Sequence, residues 1–293
     1  MHDTTGEPPR TRREHRARRA SAPAPRTPGR AGRNLPAAIV VGLLLIGLVI
    51  ASLLLYPPLF VLLVTAVAAI GIWELDQALR VSRVRPPLAP MLLGAALVPL
   101  AYLGGTRGLA VGFVAAAALV LLWRSVGAAK GALRDVGGGV FVIAYVPLLA
   151  AITPLMLVED QGALRVLTYV LVTVASDTGG YAVGVNLGRT PMAPSLSPKK
   201  SWEGFAGSVG ASAVIGLLAV VFLLGGPWWA GLLLGAVAAS FATVGDLAES
   251  AIKRDIGIKD MGSLLPGHGG VMDRLDSLLV TAPVCWALMH LFV

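Results

Sequence analysis

Hydrophobic positions in this chain come in long unbroken runs, separated by short polar breaks. Nine runs can be marked, at roughly residues 36–55, 58–79, 88–104, 107–123, 136–158, 163–187, 204–224, 227–250 and 272–292. Most approach or exceed the ~20 apolar residues with which a helix crosses a bilayer. The third and fourth are the shortest, at about 17 residues each, the low end of that range. A transmembrane β-barrel would show alternation instead of continuous runs, so the pattern argues against one. It predicts an all-α polytopic integral membrane protein with about nine transmembrane helices.

The polar breaks carry an orientation. "RVSRVRPP", "WRSVGAAKGALRD", "GRTPMAPSLSPKKSWEG" and the stretch opening "IKRDIGIKD" are rich in Lys and Arg. The alternate breaks "YPP", "GGTRG", "EDQGA" and "GGPW" hold a single arginine. Basic loops stay in the cytoplasm, so the N-terminus is expected there and the C-terminus outside. Trp73, Trp123, Trp202, Trp228 and Trp229 fall near span ends, where amphipathic rings settle at the membrane boundary. No inverted pair of broken helices is evident, which argues against a transporter.

Composition adds three points. The chain is 56% hydrophobic and only 14% charged, with a mean hydropathy of +0.76. The net charge of +8 is mostly a property of residues 1–34, which hold nine arginines and three acids. That Arg/Pro-rich segment has almost nothing to bury, so it is expected to be a disordered cytoplasmic tail, solvated or touching anionic lipid headgroups. The transmembrane catalytic domain would then span 35–293, and no nucleic-acid partner is expected. The lone cysteine, Cys285, excludes an intrachain disulfide and a Cys/His metal cluster; it reads as an apolar packing residue.

Candidate chemistry lies where polar residues interrupt the later runs. Asp177, in "VTVASDTGGYAVGVNLGRT", stands about ten residues, or ~15 Å, inside the sixth run. A carboxylate at that depth faces a bundle interior or a wet cavity and marks function. Gly180, Gly184 and Gly188 recur every four residues, the stripe of a close helix contact. In "SLSPKKSWEG", Lys199 and Lys200 suit phosphate as well as topology, and Ser201 can cap the helix that follows. Asp246, Glu249, Ser250 and Lys253 share one helix face, with Arg254 beside it. A Gly-rich loop holding Lys259 and His268 follows, then Asp273, Arg274 and Asp276 at the start of the last run. His268 could also simply bond a turn carbonyl, and Asp273 and Asp276 could complement a helix dipole. Taken together, the carboxylates Asp273 and Asp276, one turn apart, and Asp246 on a neighbouring helix form an oxygen-donor set suited to Mg²⁺. The bases suit phosphate, and such sites carry out phosphoryl or nucleotidyl transfer.

The stretch "SAIKRDIGIKDMGSLLPGHGGVMDRLDS" resembles the signature of phosphatidate cytidylyltransferases, also called CDP-diacylglycerol synthases. Ser250, Lys253, Arg254, Lys259, Asp260, His268, Gly269, Gly270, Asp273, Arg274 and Asp276 match its pattern. "SDTGGY…GR…SPKKSWEG" and "GDLAES" also resemble the family, so motif similarity covers about 170–277. The resemblance implies transfer of the cytidylyl group of CTP to phosphatidic acid, giving CDP-diacylglycerol and pyrophosphate. A CTP-dependent transferase with another lipid acceptor is the alternative. Carried onto this chain, it implies catalytic roles for Asp246, Lys253, Asp273 and Asp276. Lys199, Lys200, Ser201, Ser250, Arg254, Lys259, His268 and Arg274 would bind substrate. Asp177, Asp246, Asp273 and Asp276 would hold metal. It further implies Mg²⁺, a monovalent cation such as K⁺, a homodimer as a habit of the family, and a bacterial inner membrane with the site facing the cytoplasm.

Overall fold

A computed structural model describes residues 47–126, 130–262 and 270–293. The expected tail over 1–34, the start of the first apolar run and His268 lie outside these residues. Among the described residues, seven helices are long and apolar enough to cross a membrane. They are α1 (Pro57–Val81), α2 (Leu88–Ser125), α3 (Ala132–Leu157), α4 (Gly162–Leu187), α5 (Trp202–Phe222), α6 (Trp228–Ile256) and α7 (Met272–Phe292). The chain is a multi-pass membrane protein, and its described residues are helical apart from one small hairpin and short connections. Residues 47–55 are also helical, and Pro57 and Pro58 start α1 where a missing N–H costs nothing.

Two helices depart from regular geometry. In α2, Gly105 takes φ 59° and ψ −151°, a backbone region open essentially to glycine alone. The chain reverses there. A Cβ on Gly108 would stand 2.5 Å from the Leu100 carbonyl, and one on Gly112 2.9 Å from the Leu97 side chain. Residues 97 and 112 of a straight helix would be about 22 Å apart. The third and fourth apolar runs are therefore two halves of one antiparallel turnback. In α3, residues Ala144–Leu148 form a single wide π turn around Pro147, whose ring cannot supply the regular N–H.

The segment between α4 and α5 is not the plain loop the sequence suggests. Strands β1 (Pro191–Ala193) and β2 (Ser197–Ser201) pair antiparallel, with Pro191 opposite Ser201. The base is closed by Glu203 in the first turn of α5. Its carboxylate accepts the amides of Arg189 and Thr190 at 3.1 Å and the Thr190 hydroxyl at 2.8 Å. Ser201 caps α5 as expected, its Oγ accepting the Gly204 amide at 3.1 Å.

Helices α4, α5, α6 and α7 pack through small residues. Gly180 meets Ser208 across the α4–α5 seam, and Gly235 of α6 meets Ser212 of α5. A Cβ on Gly180 would collide with the Ser208 hydroxyl and one on Gly235 with the Ser212 backbone, so glycine permits the approach that van der Waals packing requires. Hydroxyls stitch the same seam: Ser208 Oγ donates to the Ser176 carbonyl at 2.9 Å and Ser212 Oγ to that of Val172 at 2.8 Å. Tyr169 Oη donates to the Leu278 carbonyl at 2.8 Å, tying α4 to α7. Cys285 is fully buried among apolar neighbours, consistent with a packing role. At the C-terminal end of α7, Glu159 accepts Trp286 Nε1 at 2.8 Å.

Candidate active site

At the opposite end of α7, four helices and the hairpin enclose a cavity of about 780 Å³. That is a usual size for a small-molecule site. α4 supplies Ser176, Asp177, Gly180 and Gly184. The hairpin and the start of α5 supply Lys199, Lys200, Ser201, Gly204 and Ser208. α6 supplies Asp246, Glu249 and Lys253, and α7 supplies Asp273, Arg274 and Asp276.

Local sequence explains the placement. Asp246, Glu249 and Lys253 follow the helical repeat, and the face they share turns inward because lipid would leave it unpaired. Gly257 then ends α6 in the left-handed region at φ 81°, its N–H reaching the carbonyls of Lys253 at 3.0 Å and Arg254 at 3.2 Å. The helix thus stops one turn beyond Lys253, and the chain returns to begin α7.

The charges are closely paired. Lys253 Nζ bridges Glu249 Oε2 at 2.6 Å and Asp273 Oδ1 at 2.9 Å. Asp273 Oδ2 also accepts the Met261 amide at 3.1 Å and the Gly270 amide at 2.9 Å. Lys200 Nζ pairs with Asp246 Oδ2 at 2.5 Å, so the hairpin reaches across to α6. Asp276, buried at 8% exposure, accepts its neighbour Ser277 N–H at 2.8 Å. Asp177, Asp246 and Asp276 lie near enough to repel one another.

Of the residues singled out from sequence, Asp177, Lys199, Lys200, Ser201, Asp246, Lys253, Asp273, Arg274 and Asp276 line the cavity. Ser250 and Lys259 do not. Arg254 is turned toward the hairpin, donating from Nε to the Leu196 carbonyl at 3.3 Å. Among the described residues no three His, Cys, Asp or Glu side chains are gathered as a ready metal clasp. The mutually repelling Asp177, Asp246 and Asp276 nevertheless form an oxygen-rich set whose charge a hard cation would offset, so the residues present fit Mg²⁺. Asp273, counted with them from sequence, already has both oxygens engaged.

The sequence profile of the Cytidylyltransferase family matches residues 36–292. The chain belongs to that family. Curated relatives agree. A protein of Mycobacterium leprae named phosphatidate cytidylyltransferase is 42% identical over 279 residues, covering 89% of each chain. One of the same name from Mycobacterium bovis is 40% identical over 277 residues, covering 89% of this chain and 90% of its own. A Bacillus subtilis protein, again so named, is 40% identical over 135 residues, 45% of this chain and 50% of its own.

Every residue that lines the cavity lies inside the span of the family match. Within that span, reasoning from sequence gave no site role to several lining side chains. Glu249 stood on the recognised face of α6, but its burial against Lys253 depends on α7. Tyr181 and Thr243 line the cavity as well; Tyr181 ends the family-like stretch "SDTGGY" but was given no role there. Outside the cavity, Glu74 on α1 is 1% exposed and its Oε2 accepts the Met272 amide at 2.8 Å. Nothing local in "IWELDQ" sets that acid apart from a helix-end residue.

Proposed function

We propose that this chain transfers the cytidylyl group of CTP to phosphatidic acid, in phospholipid biosynthesis. One observation carries the reading. In a family of cytidylyltransferases, acids and bases from three apolar helices and the hairpin meet in a cavity at one end of the bundle. The relatives' shared name supplies the acceptor.

In the reaction, a phosphate oxygen of phosphatidic acid attacks the α-phosphorus of CTP. A new P–O bond forms, the α–β bond breaks, and pyrophosphate leaves with its electron pair. The nucleophile is already anionic, so the residues need not remove a proton. Their task is to bring two polyanions together. Lys199 and Lys200 on the hairpin, Arg274 on α7 and Lys253 on α6 supply positive charge along the cavity wall. Lys200 leaves Asp246 to do so. Ser201 Oγ accepts the Gly204 amide and keeps its own hydroxyl hydrogen to donate to a phosphate. Asp177, Asp246 and Asp276 are the residues that would hold Mg²⁺, which neutralises phosphate charge and stabilises the leaving group when bound. Asp273 holds Lys253 and the ends of the following loop in register. A monovalent cation and a homodimer belong to the same reading; light scattering of the purified protein tests the latter.

The reading includes the membrane arrangement. Two spans from the α2 turnback and one ending at 47–55 bring the count to nine. With nine crossings, the basic loops support an N-terminus and a cavity on the cytoplasmic side of the inner membrane. The deciding experiment is pyrophosphate release by purified protein. Release should depend on both CTP and phosphatidic acid. Preference for an ether lipid or polyprenol acceptor over phosphatidic acid would overturn the assignment of substrate.

A further inference from the structure

Helix α7 presents Asp273, Arg274 and Asp276 to the cavity, yet its own N-cap residue, Val271, offers no side-chain cap to the first-turn amides. A helix start inside a protein needs acceptors for those amides. Here one comes from α1, far away in sequence. Glu74 Oε2 accepts the Met272 N–H at 2.8 Å, across 198 positions of chain.

The surroundings are shaped to this carboxylate. A Cβ on Gly270 would stand 2.6 Å from Glu74 Oε2, and one on Gly262 would fall on its other oxygen. Those glycines are the two described feet of the loop that joins α6 to α7. One turn earlier on α1, a Cβ on Gly71 would lie 3.7 Å from Met272 Sδ, so the two helices approach closely here. The other side of the same feet is held by Asp273, through the amides of Met261 and Gly270. Glu74 and Asp273 together clamp the loop ends from both sides.

Burying a carboxylate is costly, and Glu74 Oε1 has no partner among the described residues. A residue that only filled space here would be apolar. The acid gains from the helix dipole and from the Met272 amide, and both gains exist only if α7 starts at this point and points this way.

We propose that Glu74 is a positioning residue for cytidylyl transfer: from α1 it caps α7 and braces both loop feet, and so sets where Asp273, Arg274 and Asp276 stand in the cavity. It touches no substrate. The proposal rests on the cytidylyl-transfer reading given above.

The test uses full-length protein in lipid nanodiscs, with Glu74→Gln, Glu74→Asp and Glu74→Ala. kcat and KM for CTP are measured per folded molecule, and amide exchange is followed over 270–276. The Gln amide oxygen still reaches Met272, so kcat should stay near the wild-type value. Asp falls one methylene short and Ala offers nothing; each should lose about tenfold or more in kcat, as a small misplacement of catalytic groups does. KM for CTP should move little, and exchange over 270–276 should quicken. Wild-type kcat in the Asp or Ala variant, or a Gln variant that falls with them, overturns the proposal. Lost kcat with unchanged exchange overturns it equally. If Asp and Ala prevent folding, Gly262→Ala crowds the same carboxylate and should reproduce the kcat loss; normal turnover there refutes the brace. Wild-type protein without pyrophosphate release would sink the transfer reading instead, and the exchange data would then decide on Glu74 alone.

Discussion

Lys253 holds two carboxylates at once, and its ion pairs differ in kind from that of Lys200. The Lys253 side chain is 17% exposed and its partners Glu249 and Asp273 are 1% and 12% exposed. Removing the cation leaves buried acids uncompensated, which typically costs about 3–5 kcal/mol. Lys253→Met should therefore lower the thermal stability of the detergent-solubilised protein sharply. Adding Glu249→Gln should restore part of the stability and none of the activity. Lys200 and Asp246 are 24% and 37% exposed, so their pair contributes about 0–1 kcal/mol. Lys200→Ala should leave the melting temperature nearly unchanged while turnover falls, if the lysine moves to phosphate. Asp276→Asn should insert and fold but lose most transfer, since one electrostatic contact in a water-poor site is worth about 3 kcal/mol of barrier. Near-normal release of pyrophosphate by that variant would remove Asp276 from the site.

Between elements, small residues decide how near the helices come. A Cβ on Gly235 would run into the Ser212 backbone, whereas one on Gly210 meets nothing within 4 Å. Gly235→Ala should then destabilise by about 1–3 kcal/mol through overpacking. Gly210→Ala should be neutral, or stabilising by up to about 1 kcal/mol through helix propensity. Thermal unfolding of the two variants side by side checks the α5–α6 seam. The Gly180–Gly184 stripe was legible as a packing motif because helical spacing is local. Its partners, Gly204 and Ser208 on α5, were not, because nothing in a span's own periodicity says which neighbour it meets. The hairpin escaped notice for a related reason. Strands of three and five residues, each with a proline, carry almost no pattern, and the Glu203 carboxylate, bonding back to Arg189 and Thr190, helps close them into a unit.

For the whole molecule, the turn at Gly105 sets how many times the chain crosses. In a Cys285→Ala background, Thr106→Cys should react with an impermeant maleimide from outside intact cells. Ser195→Cys, on the hairpin, should react only after the inner membrane is opened. Labelling of both from the same side would overturn the nine-span arrangement. Basic and acidic residues that lie up to 99 positions apart in sequence, from Asp177 to Asp276, reach one cavity because the C-terminal halves of α4 and α6 and the N-terminal end of α7 meet there.

The sequence alone determined the membrane class, the apolar spans, the polar face of α6 and the membership implied by the loop before α7. Each of these rests on composition, on a repeat of about 3.6 residues, or on a contiguous motif. The tertiary structure decided that Lys200 meets Asp246, that both oxygens of Asp273 are occupied, and that Glu74 caps α7. Those contacts join residues 46, 20 and 198 positions apart or clamp a loop whose ends meet only when folded. They arise from which helices pack together, and local periodicity contains no term for that.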